Sequence, residues 1–287
     1  MIVRTFRLLV HCSNAVVVFA CGRGGGPTER ATSTTPPHTP AAYQLVWSDE
    51  FNTAGLPDTS KWAYDVGDGC PNLCGWGNNE LEHYTASRSE NARIENGNLI
   101  IEARREPFGS RAYTSARLVS RTKGDWAYGR FEIRAKLPSG LGTWPAIWML
   151  PTDWSYGGWP ASGEIDIMEH VGFAPDSVYA SIHTNAYNHT KGTQRTRGIS
   201  IADAERAFHV YSIEWAEDRI DFSVDSTRYH SFANENSGFA AWPFDRRFHL
   251  LLNIAVGGNW GGQKGVAQNI WPQQMLIDYV RVYQRPR

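Results

Sequence analysis

The segment GEIDIMEH, residues 163–170, contains three carboxylates in a stretch of six residues. They belong to Glu164, Asp166 and Glu169, and the residues between them are apolar. Acidic side chains crowded on one face repel one another and shift each other's pKa values. Enzymes that hydrolyse glycosides use two carboxyls with different pKa values, one as the nucleophile and one as the acid. A solvated edge strand or a calcium site is the alternative interpretation of this spacing.

The alternation of acidic and apolar residues predicts a β-strand with one acidic face. Glu164 and Asp166 share that face, because side chains two positions apart point the same way. Glu169 is five positions after Glu164, so a regular strand would turn it to the opposite face. We therefore predict a β-bulge at Ile167 or Met168, which returns Glu169 to the acidic face.

The elements that must hold this strand are predicted along the rest of the chain from Tyr43 onward. Short alternating segments are separated there by turn residues, such as Asn96-Gly97 before the strand at residues 98–103. Residues 130–137 place apolar side chains on one face and charged side chains on the other. The only helix predicted is a short one near residues 202–207. The pattern indicates an all-β sandwich with a cleft on one sheet, in one domain over residues 43–287.

The charge and the tryptophan content of the chain indicate which classes of molecule it binds. The chain has 287 residues and a formal net charge of -1, which gives no reason to expect nucleic acid or a polyanion as partner. It contains 12 tryptophans, several of them beside glycine or proline, and the flat amphipathic indole ring suits stacking on sugar rings.

The N-terminal segment has the pattern of an export signal. Arg4 and Arg7 precede an apolar run at residues 15–20, and Cys21 follows Ala20. This order predicts a signal peptide over residues 1–21, and the cysteine favours the bacterial lipoprotein type over an ordinary signal. Residues 22–42 are rich in Gly, Thr, Ser and Pro and are predicted to be a flexible linker. We expect an exported cell-surface or outer-membrane lipoprotein, or otherwise a secreted protein.

Cys70 and Cys74 remain in the predicted domain, in the sequence GCPNLCGWG. A local disulfide is expected between them in an exported protein. Their spacing is also that of half a zinc site, but no second cysteine pair or suitable histidine pair follows, which argues against zinc.

Several motifs resemble those of glycoside hydrolase family 16, and within it the bacterial laminarinase-like endo-1,3-β-glucanases. They follow one another in the family's order over residues 43–285. The matching stretches are WSDEFN (47–52), WGNNELEHYT (76–85), GRFEIRAKLPSGLGTWPAIWMLP (129–151), GWPASGEIDIMEHVG (158–172), IHT (182–184), LLNIAVGGNWGG (251–262) and MLIDYVRVYQ (275–284).

The resemblance implies a concanavalin A-like jelly roll of two curved antiparallel sheets, with the acidic strand on the concave sheet. It implies a retaining double displacement in which Glu164 is the nucleophile, Glu169 is the acid/base and Asp166 orients the nucleophile. The E-x-D-x-x-E spacing resembles that of laminarinases, agarases and carrageenases, whereas bacterial lichenases have an uninterrupted E-x-D-x-E. The stretches IMEHVG (167–172) and GGNWGG (257–262) resemble those of laminarinases rather than those of agarases.

The same resemblance implies binding residues and a metal. The substrate-binding candidates are Asn78, Arg121, Trp144, Trp148, His183 and Trp260. A structural Ca²⁺ away from the cleft is expected on the backbone carbonyls of Glu50 and Gly97 and the carboxylate of Asp278, since calcium prefers hard oxygen ligands. No cofactor is expected for catalysis.

We therefore expect an endo-β-1,3-glucanase that works as a monomer on a β-1,3-glucan polysaccharide and contacts a membrane only through an N-terminal lipid. The same machinery could instead act on mixed-linkage β-glucan or a galactan, or transfer sugar to sugar. A third hypothesis is that the chain is a non-catalytic glucan-binding module. That reading predicts the loss of one or more carboxylates, and all three are present.

Overall fold

The computed structural model describes residues 42–286. The predicted signal peptide, Cys21 and the linker up to residue 41 lie outside the described residues. The strands are β1 Gln44–Asp49, β2 Ala63–Asp65, β3 Glu82–Tyr84, β4 Ala92–Glu95, β5 Asn98–Phe108, β6 Arg111–Ser115, β7 Arg117–Val119, β8 Asp125–Trp126, β9 Gly129–Lys136, β10 Thr143–Pro151, β11 Glu164–His170, β12 Ser177–His183, β13 Arg195–Ser200, β14 His209–Trp215, β15 Arg219–Val224, β16 Thr227–Ala233, β17 Phe248–Val256 and β18 Gln273–Gln284. A short 3₁₀ helix covers His189–Lys191, and Cys74–Gly77 forms a tight turn in which Gly75 and Trp76 have positive φ.

These strands form two sheets that pack face to face. The first has the order β16-β15-β14-β9-β18-β5-β6-β3, with β1 beside β18 and β4 beside β5. The second has the order β13-β12-β11-β10-β17-β7-β2, with β8 beside β17. Neighbouring strands are antiparallel, apart from the parallel pair of β3 and β6. The all-β, two-sheet architecture expected from the sequence is confirmed.

Period-two alternation builds the core from both sheets. In β9, Phe131, Ile133 and Ala135 are fully buried. Arg130, on the opposite face, forms ion pairs with Glu132 and with a glutamate of β14. Each large apolar side chain buried in this way contributes about 1.5–3 kcal/mol.

β17 lies near the centre of the second sheet and is buried along its whole length. Alternate residues from Phe248 to Val256 join the core, and the residues between them, including Asn253, face away from it. This outer face of the second sheet therefore has buried polar positions, which is where a binding site can be built.

The predicted helix near residues 202–207 is wrong. The chain makes consecutive turns there, and the amides of Arg206 and Ala207 both donate to the carbonyl of Asp203. The next strand begins at His209, so the segment is too short to repay the cost of starting a helix. Among residues 42–286, no helix is both long and apolar enough to cross a membrane.

Candidate active site

A bulge in β11 brings the three carboxylates to one face. Glu164 lies opposite His183 of β12 and Asp166 opposite Ser181, but Glu169 lies opposite Tyr179, so two residues of β11 face one residue of β12. The two residues of the bulge, Ile167 and Met168, both lie in the hydrophobic core. The predicted bulge is confirmed, and it lets Glu164, Asp166 and Glu169 share the outer face of the second sheet.

Glu164 and Asp166 share His183 as a neighbour. The Nε2 atom of His183 lies 3.8 Å from Oε1 of Glu164 and 3.3 Å from Oδ2 of Asp166. The indole N–H of Trp159 donates to Oε2 of Glu164 at 2.9 Å. Trp159 was missed as a site residue, although it stands five positions before Glu164 in the motif GWPASGE.

Glu169 has its own set of contacts at the other end of the strand. The indole N–H of Trp144 donates to its Oε1 atom at 3.1 Å, and the hydroxyl of Ser181 to its Oε2 atom at 3.4 Å. The ring of Trp260 packs edge-on against Trp144, with ring centroids 5.7 Å apart. Trp144 thus lies beside Glu169, with Trp260 against its ring, and Trp159 lies beside Glu164.

Burial raises the pKa of each of these three carboxyls to about 8. The charge of Asp166 raises the pKa of both Glu164 and Glu169 further, and the imidazole of His183 acts in the opposite direction on both. The group therefore retains protons near neutral pH. Such a site can hold one carboxyl as an acid beside an ionised one.

Two polar atoms of this group have no hydrogen-bond partner among the described residues. They are Oδ2 of Asp166 and Nδ1 of His183, and both are buried. The ligand-type atoms of Glu164, Asp166 and His183 all lie within 4.8 Å of one another. Buried polar atoms normally find a partner, so Oδ2 of Asp166 is suited to a shared proton, a water molecule or a substrate hydroxyl.

Trp148 lies on the same face, directly across from Asp166 in the pairing of β10 with β11. Its indole N–H donates to Oδ1 of Asn253 at 2.8 Å. The guanidinium of Arg117 lies 4.6 Å from the centre of the Trp148 ring and 4.6 Å from that of Trp76. Arg117 and Asn253 were not predicted, because their partners are distant in sequence.

The two loops that carry Asn78 and Trp260 are bound to each other. The carbonyl of Asn78 accepts from the amide of Asn259 at 2.7 Å, and the side-chain amide of Asn79 donates to that of Asn259 at 2.8 Å. The structure joins Cys70 and Cys74 in a disulfide just before the first loop.

Arg121 is not brought to the carboxylates. Its guanidinium is about half exposed and lies 3.7 Å from Asp65 of β2. It follows β7, which is separated from β11 by β17 and β10.

The candidate calcium ligands converge beside β18. Asp49 pairs with Val280 and Leu99 pairs with Ile277, so Glu50 and Gly97 approach Asp278 from two neighbouring strands. The side chain of Glu50 is bound by Arg281, at 2.9 and 2.7 Å. The Oδ2 atom of Asp278 accepts from Arg134 at 2.6 Å.

Residues 79–281 match the family described as glycosyl hydrolases family 16. A beta-glucanase of Rhodothermus marinus is 58% identical over 248 residues, which are 84% of this chain and 85% of that one. The solved structure of the laminarinase from Rhodothermus marinus superposes with a TM-score of 0.83 at 56% identity, covering 86% of this chain and 99% of the other. A solved non-specific endo-beta-1,3(4)-glucanase has a TM-score of 0.80 at 48% identity, covering 86% and 95%.

The raised carboxyl pKa values predict that Asp166→Asn stabilises the fold at alkaline pH. The folded protein binds more protons than the unfolded chain between about pH 4 and pH 8, so the free energy of unfolding falls as pH rises through this window. The amide does not ionise and escapes that loss. A gain of about 2 kcal/mol at pH 8.5 would raise Tm by about 4–8 °C for a domain of this size, and the gain should shrink at pH 5.

Thermal unfolding of both proteins at the two pH values checks this prediction. Glu106→Gln is the matched control, because the hydrogen bond from Arg88 lowers the pKa of Glu106, so this change should lower Tm. An equal Tm difference for Asp166→Asn at both pH values would contradict the interpretation of the site.

Proposed function

The chain belongs to glycosyl hydrolase family 16, and from this premise we propose that it cleaves internal β-1,3-glucosidic bonds of laminarin-like glucans with retention of configuration. The enzyme is a glycoside hydrolase, and the family acts by a retaining endo mechanism. One observation carries the proposal for this chain: the bulge of β11 sets Glu164, Asp166 and Glu169 on one face. The similarity to a laminarinase supports the choice of substrate.

In the first step, ionised Glu164 attacks the anomeric carbon. Glu169 donates its proton to the glycosidic oxygen while the bond between that oxygen and the anomeric carbon breaks. The product is a glycosyl ester on Glu164 and a free sugar hydroxyl. The indole N–H of Trp159 and the imidazole of His183 stabilise the ionised form of Glu164 before the attack.

In the second step, the loss of charge on Glu164 lowers the pKa of Glu169, because one repelling negative charge has gone. Glu169 now accepts a proton from water, and the water oxygen attacks the anomeric carbon. The ester bond breaks and Glu164 leaves as a carboxylate. Asp166 acts through the protonation state of its two neighbours and makes no bond to the sugar.

Mixed-linkage β-glucan is the second candidate substrate. The 48% identical relative that is described as a non-specific endo-beta-1,3(4)-glucanase favours it. Galactan hydrolysis and transglycosylation would use the same carboxylates and differ only in the cleft loops.

Glu169→Gln should reduce hydrolysis of linear β-1,3-glucan by about 10²–10⁴-fold, because the amide cannot donate a proton to the leaving oxygen. For the wild-type enzyme, kcat/KM should fall as pH rises through about 8, where Glu169 loses its proton. Reducing-sugar release from linear β-1,3-glucan, barley mixed-linkage glucan and agarose measures both the effect and the substrate. Glu90→Gln, at an exposed position, is the control.

A dinitrophenyl β-glucoside of a β-1,3-linked oligosaccharide separates acid catalysis from binding. Its leaving group needs no proton, so Glu169→Gln should form the glycosyl ester and release it slowly, and mass spectrometry should find the sugar on Glu164. Full polysaccharide activity in Glu169→Gln would remove this residue from the acid role. A sugar attached elsewhere would remove Glu164 from the nucleophile role.

We also propose a structural Ca²⁺ beside β18. The backbone carbonyls of Glu50 and Gly97 and the carboxylate of Asp278 would hold it, and oxygen donors of this kind suit calcium. Arg134 binds one oxygen of the Asp278 carboxylate, and the other oxygen, which accepts no hydrogen bond within residues 42–286, can bind a cation. The ion would join two strand ends to β18 and would have no part in the reaction.

Calcium at about 100 times its Kd should stabilise the fold by about 2.7 kcal/mol, which is about 5–10 °C in Tm. Thermal unfolding in EDTA and in CaCl₂ measures the shift, and Asp278→Asn should abolish it. Asp218→Asn, a change at another exposed carboxylate, should keep the full shift. Equal Tm values in EDTA and CaCl₂ would contradict the site.

We propose that the enzyme is exported as a lipoprotein, supported by the basic and apolar pattern before Cys21. Cys21→Ser should move the enzyme from the membrane fraction to the medium or periplasm and end labelling by palmitate. Ser13→Ala is the control within the same segment. A wild-type protein that is exported without label would be an ordinary secreted enzyme.

A further inference from the structure

Two glutamates outside the double displacement are buried beneath the cleft loops. Glu80 is 6% exposed and Glu82 is fully buried. Burial raises the pKa of both carboxyls, and the charge of Glu80 adds to the effect on Glu82. No hydrogen bond among the described residues connects either of them to Glu164, Asp166 or Glu169. A buried carboxyl pair of this kind costs stability, so its contacts indicate what it is for.

Glu80 accepts hydrogen bonds from two sides. Its Oε1 atom accepts from the side-chain amide of Asn78 at 3.3 Å, and its Oε2 atom accepts from the hydroxyl of Tyr84 at 3.3 Å. Its backbone forms a bridge with Gly257 at the start of the Trp260 loop. Glu80 is therefore attached to the Asn78 loop by its side chain and to the Trp260 loop by its backbone.

The hydroxyl of Tyr84 continues the chain of hydrogen bonds toward the sheet. It accepts from the side-chain amide of Asn253 at 3.0 Å, and Oδ1 of Asn253 accepts from the indole of Trp148 at 2.8 Å. The indole N–H can only donate, so the donor and the acceptor are fixed in every hydrogen bond of this series. The series begins at Trp148 and ends at Glu80, which is the acceptor that fixes the orientation of the others.

We propose that Glu80 is a positioning residue that holds the Trp148 ring and the Asn78 amide in one arrangement for binding the glucan chain. It acts through Tyr84 and Asn253 on Trp148, and directly on Asn78. The inference rests on the proposed function, because the ligand of Trp148 and Asn78 is the polysaccharide. These five residues contact the sugar chain only through Trp148 and Asn78, so the arrangement governs substrate binding and leaves the chemical step unchanged.

Tyr84→Phe tests this inference, because it removes one hydroxyl from the middle of the chain and keeps the ring. The KM for linear β-1,3-glucan should rise about tenfold, the effect of one lost hydrogen bond, while kcat changes less than twofold. Tyr113→Phe is the matched control: that ring is also buried, and the one hydrogen bond of its hydroxyl among the described residues is to Gln268, at 3.4 Å. KM should not change in the control.

A double-mutant cycle tests whether the effect passes through Trp148. Trp148→Ala removes the end of the chain, so adding Tyr84→Phe to it should raise KM less than twofold further. Glu80→Gln keeps one acceptor oxygen and should raise KM less than Glu80→Ala does. Near-UV circular dichroism and Tm identify any variant that fails to fold. If Tyr84→Phe or Trp148→Ala does not fold, the KM values of Glu80→Gln and Glu80→Ala are compared instead.

The possible failures are distinguishable. A wild-type enzyme that does not hydrolyse β-1,3-glucan would contradict the proposed function. An active wild type with an unchanged KM in Tyr84→Phe, a loss confined to kcat, or fully additive effects in the cycle would overturn the positioning role of Glu80.

Discussion

The bulge in β11 is the constraint on which the rest of the site depends. In a regular strand without the bulge, the odd offset from Glu164 would place Glu169 on the core side, where Met168 now lies. The bulge is held from both sides, because β10 and β12 pair with β11 before and after it. The core benefits as well, since Ile167 and Met168 both pack inward while the carboxylates face outward.

This arrangement has a stability cost that the neighbouring residues reduce only in part. Three carboxyls share one buried face, and burial acts against the ionised form of each. Full neutralisation by arginine or lysine would lower their pKa values and leave no acid at neutral pH. The described contacts instead consist of neutral donors and one histidine. The site thus keeps repulsion that a purely structural strand would have no reason to keep.

Local sequence was sufficient for the features that local physics determines. The alternation in β9 and the odd offset from Glu164 to Glu169 both predicted what the structure contains. Pairings across the sheet were out of reach: Asn253 and Trp148 meet only because β10 pairs with β17, and no spacing in the sequence encodes that register. The turns at residues 202–207 were misread as a helix because local propensity does not show that β14 begins at His209.

In the proposed function, tryptophan links substrate binding to the chemistry of this site. Trp144 donates its indole N–H to Glu169 and Trp159 donates its indole N–H to Glu164, and each hydrogen bond opposes the rise in carboxyl pKa that burial causes. Because the indole has a single donor, this bond also fixes the plane of the ring. A ring held in one plane is a better platform for a sugar face, since less conformational entropy is lost on binding. Under the proposed mechanism, the same side chains therefore orient the substrate and tune the pKa values of the carboxyls that cleave it.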